Sequence, residues 1–252
     1  MDFYSRIAEN AHQLNKSDNE ILSFCIRNNQ TLSRMKVQEV ADTLYTSPAS
    51  VVRFCKKLGF SGFSEFKAGI RAELSQDSQN EGQKSHPTDF LKDVHKTIEL
   101  IPEETIGRVL EKIHSCRRTE IYAAGSSRTV AAEFVKRLQV IGKPAYWYDD
   151  SSLMNISARE VTKDDLIIVI SVSGETSLVL AAATMAKSRG ASIVSVTDLG
   201  SSALSDMADE NIYVNSTYFI KADIKIRSRV QLLLVCEYMF FRYLEEYGQD
   251  RE

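Results

Sequence analysis

Two hydroxyl-rich stretches carry the clearest chemistry in this 252-residue sequence. Gly125-Ser126-Ser127-Arg128 and Ser171-Val172-Ser173-Gly174-Glu175-Thr176 each follow a short apolar run and open a segment with helical spacing. Backbone N–H groups at a helix start, together with serine and threonine hydroxyls, satisfy phosphate oxygens without a metal, and glycine lets the backbone come close. Ser126, Ser127, Ser171, Ser173 and Thr176 are therefore candidate ligands for an anion. Serines after strands are equally ordinary helix caps, so on residues alone both readings stand. Lys221, Lys225, Arg227 and Arg229, just ahead of the last helical segment, read either as a solvated helix end or as cations closing such a site from a neighbouring subunit. Arg128 reads as a surface charge.

A second constellation lies near the start of the chain. Ser47 fits a helix N-cap and Pro48 the first helical position, where the missing N–H costs nothing. From there Val51, Val52, Cys55 and Leu58 share one face and Ser50, Arg53, Lys56 and Lys57 the other, until Gly59 stops the helix. A preceding segment, Lys36 to Leu44, places the small Ala41 where two helices would cross. Two short helices, a tight turn and an exposed basic face on the second are what a helix-turn-helix presents to a major groove. Ser47, Ser50 and Arg53 are the candidates for base edges, and Lys56, Lys57 and Lys67 for phosphates. A small helical bundle with solvated charges is the bland alternative.

The elements that must hold these groups divide into two classes. Residues 1–75 show helical spacing throughout and read as an all-α domain. The run QDSQNEGQKSHPT at 76–88 contains no aliphatic or aromatic residue and reads as a linker. After two helical patterns, around 89–100 and 103–114, five short apolar runs (120–125, 144–148, 165–171, 191–196 and 211–214) alternate with helical segments at 129–141, 177–188 and 203–208. Strands alternating with helices imply a parallel sheet covered on both faces, a three-layer α/β/α domain over 89–252. An amphipathic segment from about Asp223 to Tyr247 closes the chain. The net charge of −3 hides an asymmetry: residues 27–71 hold eight lysines and arginines against three acids. A basic island in an acidic chain fits one module that touches phosphates beside one that does not.

The resemblance carried by these residues is specific. VQEVADTLYTSPASVVRFCKKLGFSGFSEFK resembles the N-terminal domain of RpiR-family regulators over 14–74, with the V-V-R-F-C-x-K-L-G-F-x-G-F run at 51–63. Relatives often carry glycine in the turn where this chain has Tyr45, so a left-handed non-glycine residue is expected there. Residues 119–214 are similar to the sugar isomerase (SIS) domain, whose phosphosugar motif matches S-x-S-G-E-T with an upstream G-S-S loop. The resemblance implies an all-α helix-turn-helix domain followed by an α/β/α SIS domain with a parallel five-stranded sheet. It further implies that Ser126, Ser127, Ser171, Ser173 and Thr176 hold the phosphate of a sugar phosphate, and that Glu175 is structural.

The rival function is an isomerase or related sugar-phosphate enzyme on the same fold, which needs a positioned base. None of His12, His86, His95 and His114 follows a strand of the α/β region, and no acidic pair selects itself. The expectation is a regulator of carbohydrate metabolism genes without catalysis, metal or cofactor. Its expected partners are an operator in double-stranded DNA, a sugar phosphate effector and its own copies, as a homodimer or dimer of dimers. Cys25, Cys55, Cys116 and Cys236 are widely separated and read as buried free thiols. No apolar run approaches membrane-spanning length, so a cytoplasmic protein is expected.

Overall fold

The computed structural model describes residues 3–10, 13–32, 34–77, 89–221 and 224–248. The chain divides into two compact units, residues 1–88 with 199–201, and residues 89–198 with 202–252. The expected linker lies, beyond the end of a helix at Asp77, outside the described residues.

The first unit is built from helices α1 (Phe3–Asn10), α2 (Lys16–Arg27), α3 (Asn29–Leu32), α4 (Val37–Thr43), α5 (Pro48–Lys57) and α6 (Phe63–Asp77). α2 starts at a capping box, Asn15 accepting the Asp18 N–H while the Asp18 carboxylate accepts that of Asn15. The helices close on an aromatic cluster in which Phe66 packs edge-on to Phe54 and Phe60, with ring centroids 5.3 and 5.2 Å away, and tilted against Phe3. Glu65 in the first turn of α6 accepts the Ser61 N–H and an Arg6 N–H, each at 2.7 Å. The hydrogen bonds at Ser61, followed by the one from Arg6, lower its pKa to about 2.

The second unit begins with α7 (Asp89–Glu99) and α8 (Glu103–Ser115) and continues through β1 (Arg118–Ala123), α9 (Ser127–Val140), β2 (Ala145–Trp147), α10 (Ser151–Glu160) and β3 (Asp165–Ile170). It goes on through α11 (Ser177–Ser188), β4 (Ser192–Asp198), α12 (Ala203–Met207) and β5 (Glu210–Val214). The hairpin β6 (Tyr218–Lys221) and β7 (Ile224–Arg227) precedes the last helix, α13 (Val230–Tyr247). Five parallel strands run in the order β2-β1-β3-β4-β5. β3 is buried at every position, as a strand covered on both faces must be. Its residues alternate: Leu166, Ile168 and Ile170 enter the layer formed by α8, α9 and α13, whereas Ile167 and Val169 face α10 and α11.

Two elements depart from the expectation. α10 is a crossover that parallel β2 and β3 require, but SSLMNISARE is too polar to announce itself. The final amphipathic segment is split: β7 occupies its start and α13 begins only at Val230. The hairpin is held from two sides. Asp93, a buried residue of α7, accepts hydrogen bonds from the Thr217 N–H and hydroxyl and from Asn215 Nδ2. Asp198, at the end of β4, accepts the Ser216 N–H and an Arg227 N–H.

Candidate functional site

In an open parallel sheet, ligands bind beyond the carboxyl ends of the strands, where the strand order reverses. Here the chain leaves β1 for β2 on one side and returns to β3 on the other, so that point lies between β1 and β3. The two hydroxyl-rich loops follow these strands. A cavity of about 130 Å³ opens there, lined by Ala124, Ser127, Ile170, Ser171, Val172, Ser173, Thr176, Arg227 and Arg229. Ser127 begins α9 and Thr176 is the N-cap of α11, so two helix N-termini face one small space.

The second loop is tightly specified. The Ser171 N–H continues the sheet by donating to the Val196 carbonyl, and the Gly174 N–H turns back onto the Ser171 carbonyl. Gly174 sits at φ +63°, and a Cβ there would lie 2.1 Å from the Ser202 hydroxyl. The Thr176 hydroxyl stands 3.2 Å from that of Ser171 and 3.5 Å from that of Ser173. Glu175 turns away from this group and accepts the Ala203 N–H at the start of α12. Of the five hydroxyl residues, Ser127, Ser171, Ser173 and Thr176 line the cavity. Ser126 is exposed at the N-cap of α9, makes no side-chain cap bond and is not part of the lining.

In the first unit, α4 and α5 meet through a tight turn. The Thr46 N–H donates to the Ala41 carbonyl and the Tyr45 N–H to that of Asp42, the two bonds of a Schellman closure. Tyr45 occupies the left-handed position at φ +50° with its side chain 99% exposed. A left-handed L-residue costs about 1–2 kcal/mol. Tyr45→Gly, which removes that cost but adds chain entropy to the unfolded state, is expected to stabilise the unit by about 1 kcal/mol. A Tm raised by a few degrees on thermal unfolding is the expected sign; a lowered Tm would mean that the phenol ring contributes packing.

Ser47 caps α5 by accepting the Ser50 N–H at 3.1 Å, and the Ser50 hydroxyl accepts an N–H from Arg53 at 3.2 Å. Arg53 and Lys56 are exposed on α5. Lys57 is not: it is half-buried and ion-paired with Asp18 of α2, so the outward face expected for it is an internal brace. Lys67 is also engaged within the unit, donating to the Met35 carbonyl and lying over the Phe63 ring.

Residues 1–77 match the helix-turn-helix domain of the rpiR family, and residues 112–226 match the SIS domain. The chain joins an rpiR-family helix-turn-helix domain to a SIS domain. Among its relatives, the HTH-type transcriptional regulator GlvR of Bacillus subtilis is 25% identical over 97% of this chain and 96% of its own. RpiR of Escherichia coli K12 is 27% identical over 78% and 70% respectively. A solved structure of Vibrio vulnificus NanR complexed with ManNAc-6P superposes with a TM-score of 0.62 at 25% identity, covering 98% of this chain and 94% of that one. No helix among the described residues is long and apolar enough to cross a membrane.

Arg227 and Arg229 reach the cradle from their own chain, where the residues alone had left open a solvated helix end or closure from a neighbouring subunit. The signal for them was the cluster of basic residues before α13, but only the hairpin turns them back over the loops. The side chains of Lys221 and Lys225 lie outside the described residues. Arg128 is absent from the lining, and its charge acts on Asp150. His95 and His114 are also absent from it; His114 stacks on Tyr247 and meets the Tyr243 hydroxyl.

Proposed function

We propose that this regulator is controlled by a phosphorylated sugar held in the cradle between β1 and β3, and that it binds the sugar without turning it over. The observation that carries the reading is one cavity that gathers four hydroxyl residues, two helix N-termini and two guanidinium groups. Every one of these groups favours an anion. Among the described residues the lining is hydroxyls, apolar groups and two arginines, a set that binds an anion and offers no carboxylate or histidine as the base that isomerisation needs. The complex of NanR with ManNAc-6P supports the same class of ligand.

The domain division proposed is a DNA-binding domain at 1–75, a linker at 76–88 and a sensor domain at 89–252. A homodimer or dimer of dimers would present two copies of α5 to an operator with two half-sites. Ser47, Ser50 and Arg53 are the proposed base-reading residues, with Lys56 on phosphate. Coupling requires unequal effector affinity in the DNA-competent and DNA-incompetent states.

The test is thermal unfolding of the full chain against a panel of sugar phosphates that includes amino-sugar and disaccharide phosphates. An effector at about 100 times its Kd is expected to stabilise the protein by about 2.7 kcal/mol, and the Ser171→Ala/Ser173→Ala variant is expected to lose that shift. Conversion of the effector during incubation would overturn the non-catalytic reading, and a shift that survives the double substitution would remove the ligand from the cradle. On the DNA side, Arg53→Ala is expected to weaken operator binding by about 1–3 kcal/mol. An equal loss on random DNA in a filter or anisotropy titration would reassign Arg53 to phosphate.

A further inference from the structure

The charges around the cradle do not cancel. Arg227 lies with one N–H 2.6 Å from the Asp198 carboxylate and is neutralised by it. Arg229, two residues on, lines the same cavity but has no carboxylate partner among the described residues. Its Nη1 donates to the carbonyls of Arg227 and Ser228, and its buried Nε has no hydrogen-bond partner. Burial, followed by the like charge of Arg227, pushes its pKa down. A half-buried guanidinium beside a second one is an unfavourable arrangement unless an anion completes it.

The other groups that face it are hydroxyls. Ser127, Ser171, Ser173 and Thr176 carry no charge, and Glu175 points to Ala203 instead. The lining thus presents one net positive charge from the Arg227, Asp198 and Arg229 set. Two helix N-termini add roughly half a charge each. That sum approaches the two negative charges of a fully ionised phosphate monoester, which carries between about 1.5 and 2 at neutral pH.

We propose that Arg229 is the specificity-determining residue of the cradle, the cation that makes it select a phosphate dianion over monoanionic or neutral groups. This rests on the reading of the cradle as a phosphate site and adds to it the charge state recognised and the side chain responsible. The hydroxyls and backbone N–H groups shape the site for tetrahedral oxygens, and the helix N-termini supply about half of its positive charge. Arg229 supplies the other half as a fixed cation with no carboxylate partner among the described residues, and so sets how strongly a dianion is preferred to a monoanion.

The experiment uses the full-length protein with inorganic phosphate and sulfate as probes, because neither depends on which sugar is recognised. Affinities are measured by titration between about pH 5.5 and 8, a range over which phosphate passes from monoanion to dianion while sulfate remains a dianion. In the wild-type protein, phosphate binding is expected to strengthen as pH rises and sulfate binding to stay level. Arg229→Gln is expected to weaken phosphate binding by about tenfold or more, the scale of a lost charge-assisted hydrogen bond, and to flatten its pH profile. Arg229→Lys, which keeps the charge, is expected to retain the profile. Circular dichroism shows whether each variant is folded. Should Arg229→Gln not fold, the decision falls to Arg229→Lys together with the wild-type contrast between phosphate and sulfate. Wild-type affinity for phosphate that follows no pH trend, or an Arg229→Gln variant that binds as wild type does, overturns the role of Arg229 and leaves the cradle standing. Absence of binding by both anions to wild-type protein overturns the cradle reading itself.

Discussion

Gly174→Ala is expected to destabilise the second unit and abolish its response to sugar phosphates together. The added Cβ would sit 2.1 Å from Ser202 Oγ and 2.4 Å from Ser202 Cβ, far inside van der Waals contact. Ser202 cannot step aside cheaply. It is the buried N-cap of α12, its hydroxyl accepting the Ser205 N–H while its own N–H donates to the Ser205 hydroxyl. The left-handed backbone adds about 1–2 kcal/mol, and overpacking adds about 1–3 kcal/mol. The loop has one direction of relief, outward from Ser202, which carries Ser171, Ser173 and Thr176 out of register with the N-terminus of α9. Thermal unfolding and a phosphate titration of the variant measure the two effects. A variant with wild-type Tm and wild-type affinity would show that the loop tolerates a second conformation, and the geometric account of the cradle would fail.

Phe66→Ala should be at least as costly for the other unit. The Phe66 ring is fully buried and touches Phe3, Phe54 and Phe60, drawn from α1, α5 and the turn before α6. Truncating such a ring costs about 3–5 kcal/mol through lost burial and the cavity left behind. In a helical unit of this size that is a large part of the total stability. Because Phe54 is the inward anchor of α5, the exposed face bearing Ser50, Arg53 and Lys56 loses its support. Calorimetry is expected to show an early transition for the first unit with the second unchanged, and operator binding is expected to be lost at temperatures where wild type still binds. One transition shifted as a whole would instead mean that the two units unfold as one.

How much of this was legible depends on how local the physics is. Ser47-Pro48 as the start of α5 and Gly59 as its end follow from caps and turns that involve neighbours within a few positions, whereas Tyr45 as a left-handed residue was legible only through the glycine that relatives often carry there. The strands were legible as short apolar runs for the same reason: a strand buried on both faces has nothing polar to display. α10 was not legible because its apolar residues are few, and its helical state is imposed by the need to cross from β2 to β3. β7 was absorbed into an amphipathic segment because IKIR alternates over only four residues, too short a run to separate two periodicities, and β6, equally short, was not read as an element.

The sequence by itself determined the two-part organisation, the parallel sheet and the hydroxyl loops, since each is written in the spacing of adjacent residues. Tertiary structure decided which charges belong to which site. Lys57, on the exposed face by periodicity, is withdrawn by Asp18, 39 residues earlier in the chain. Arg229, which the residues alone left as either a solvated helix end or a cation closing the site from a neighbouring subunit, is brought to loops at 127 and 171 by a hairpin pinned through Asp93 and Asp198. The reason is physical: a helix cap or a strand is a short-range solution to backbone hydrogen bonding, whereas the partner of a charge is whatever the folded chain places within a few ångströms of it.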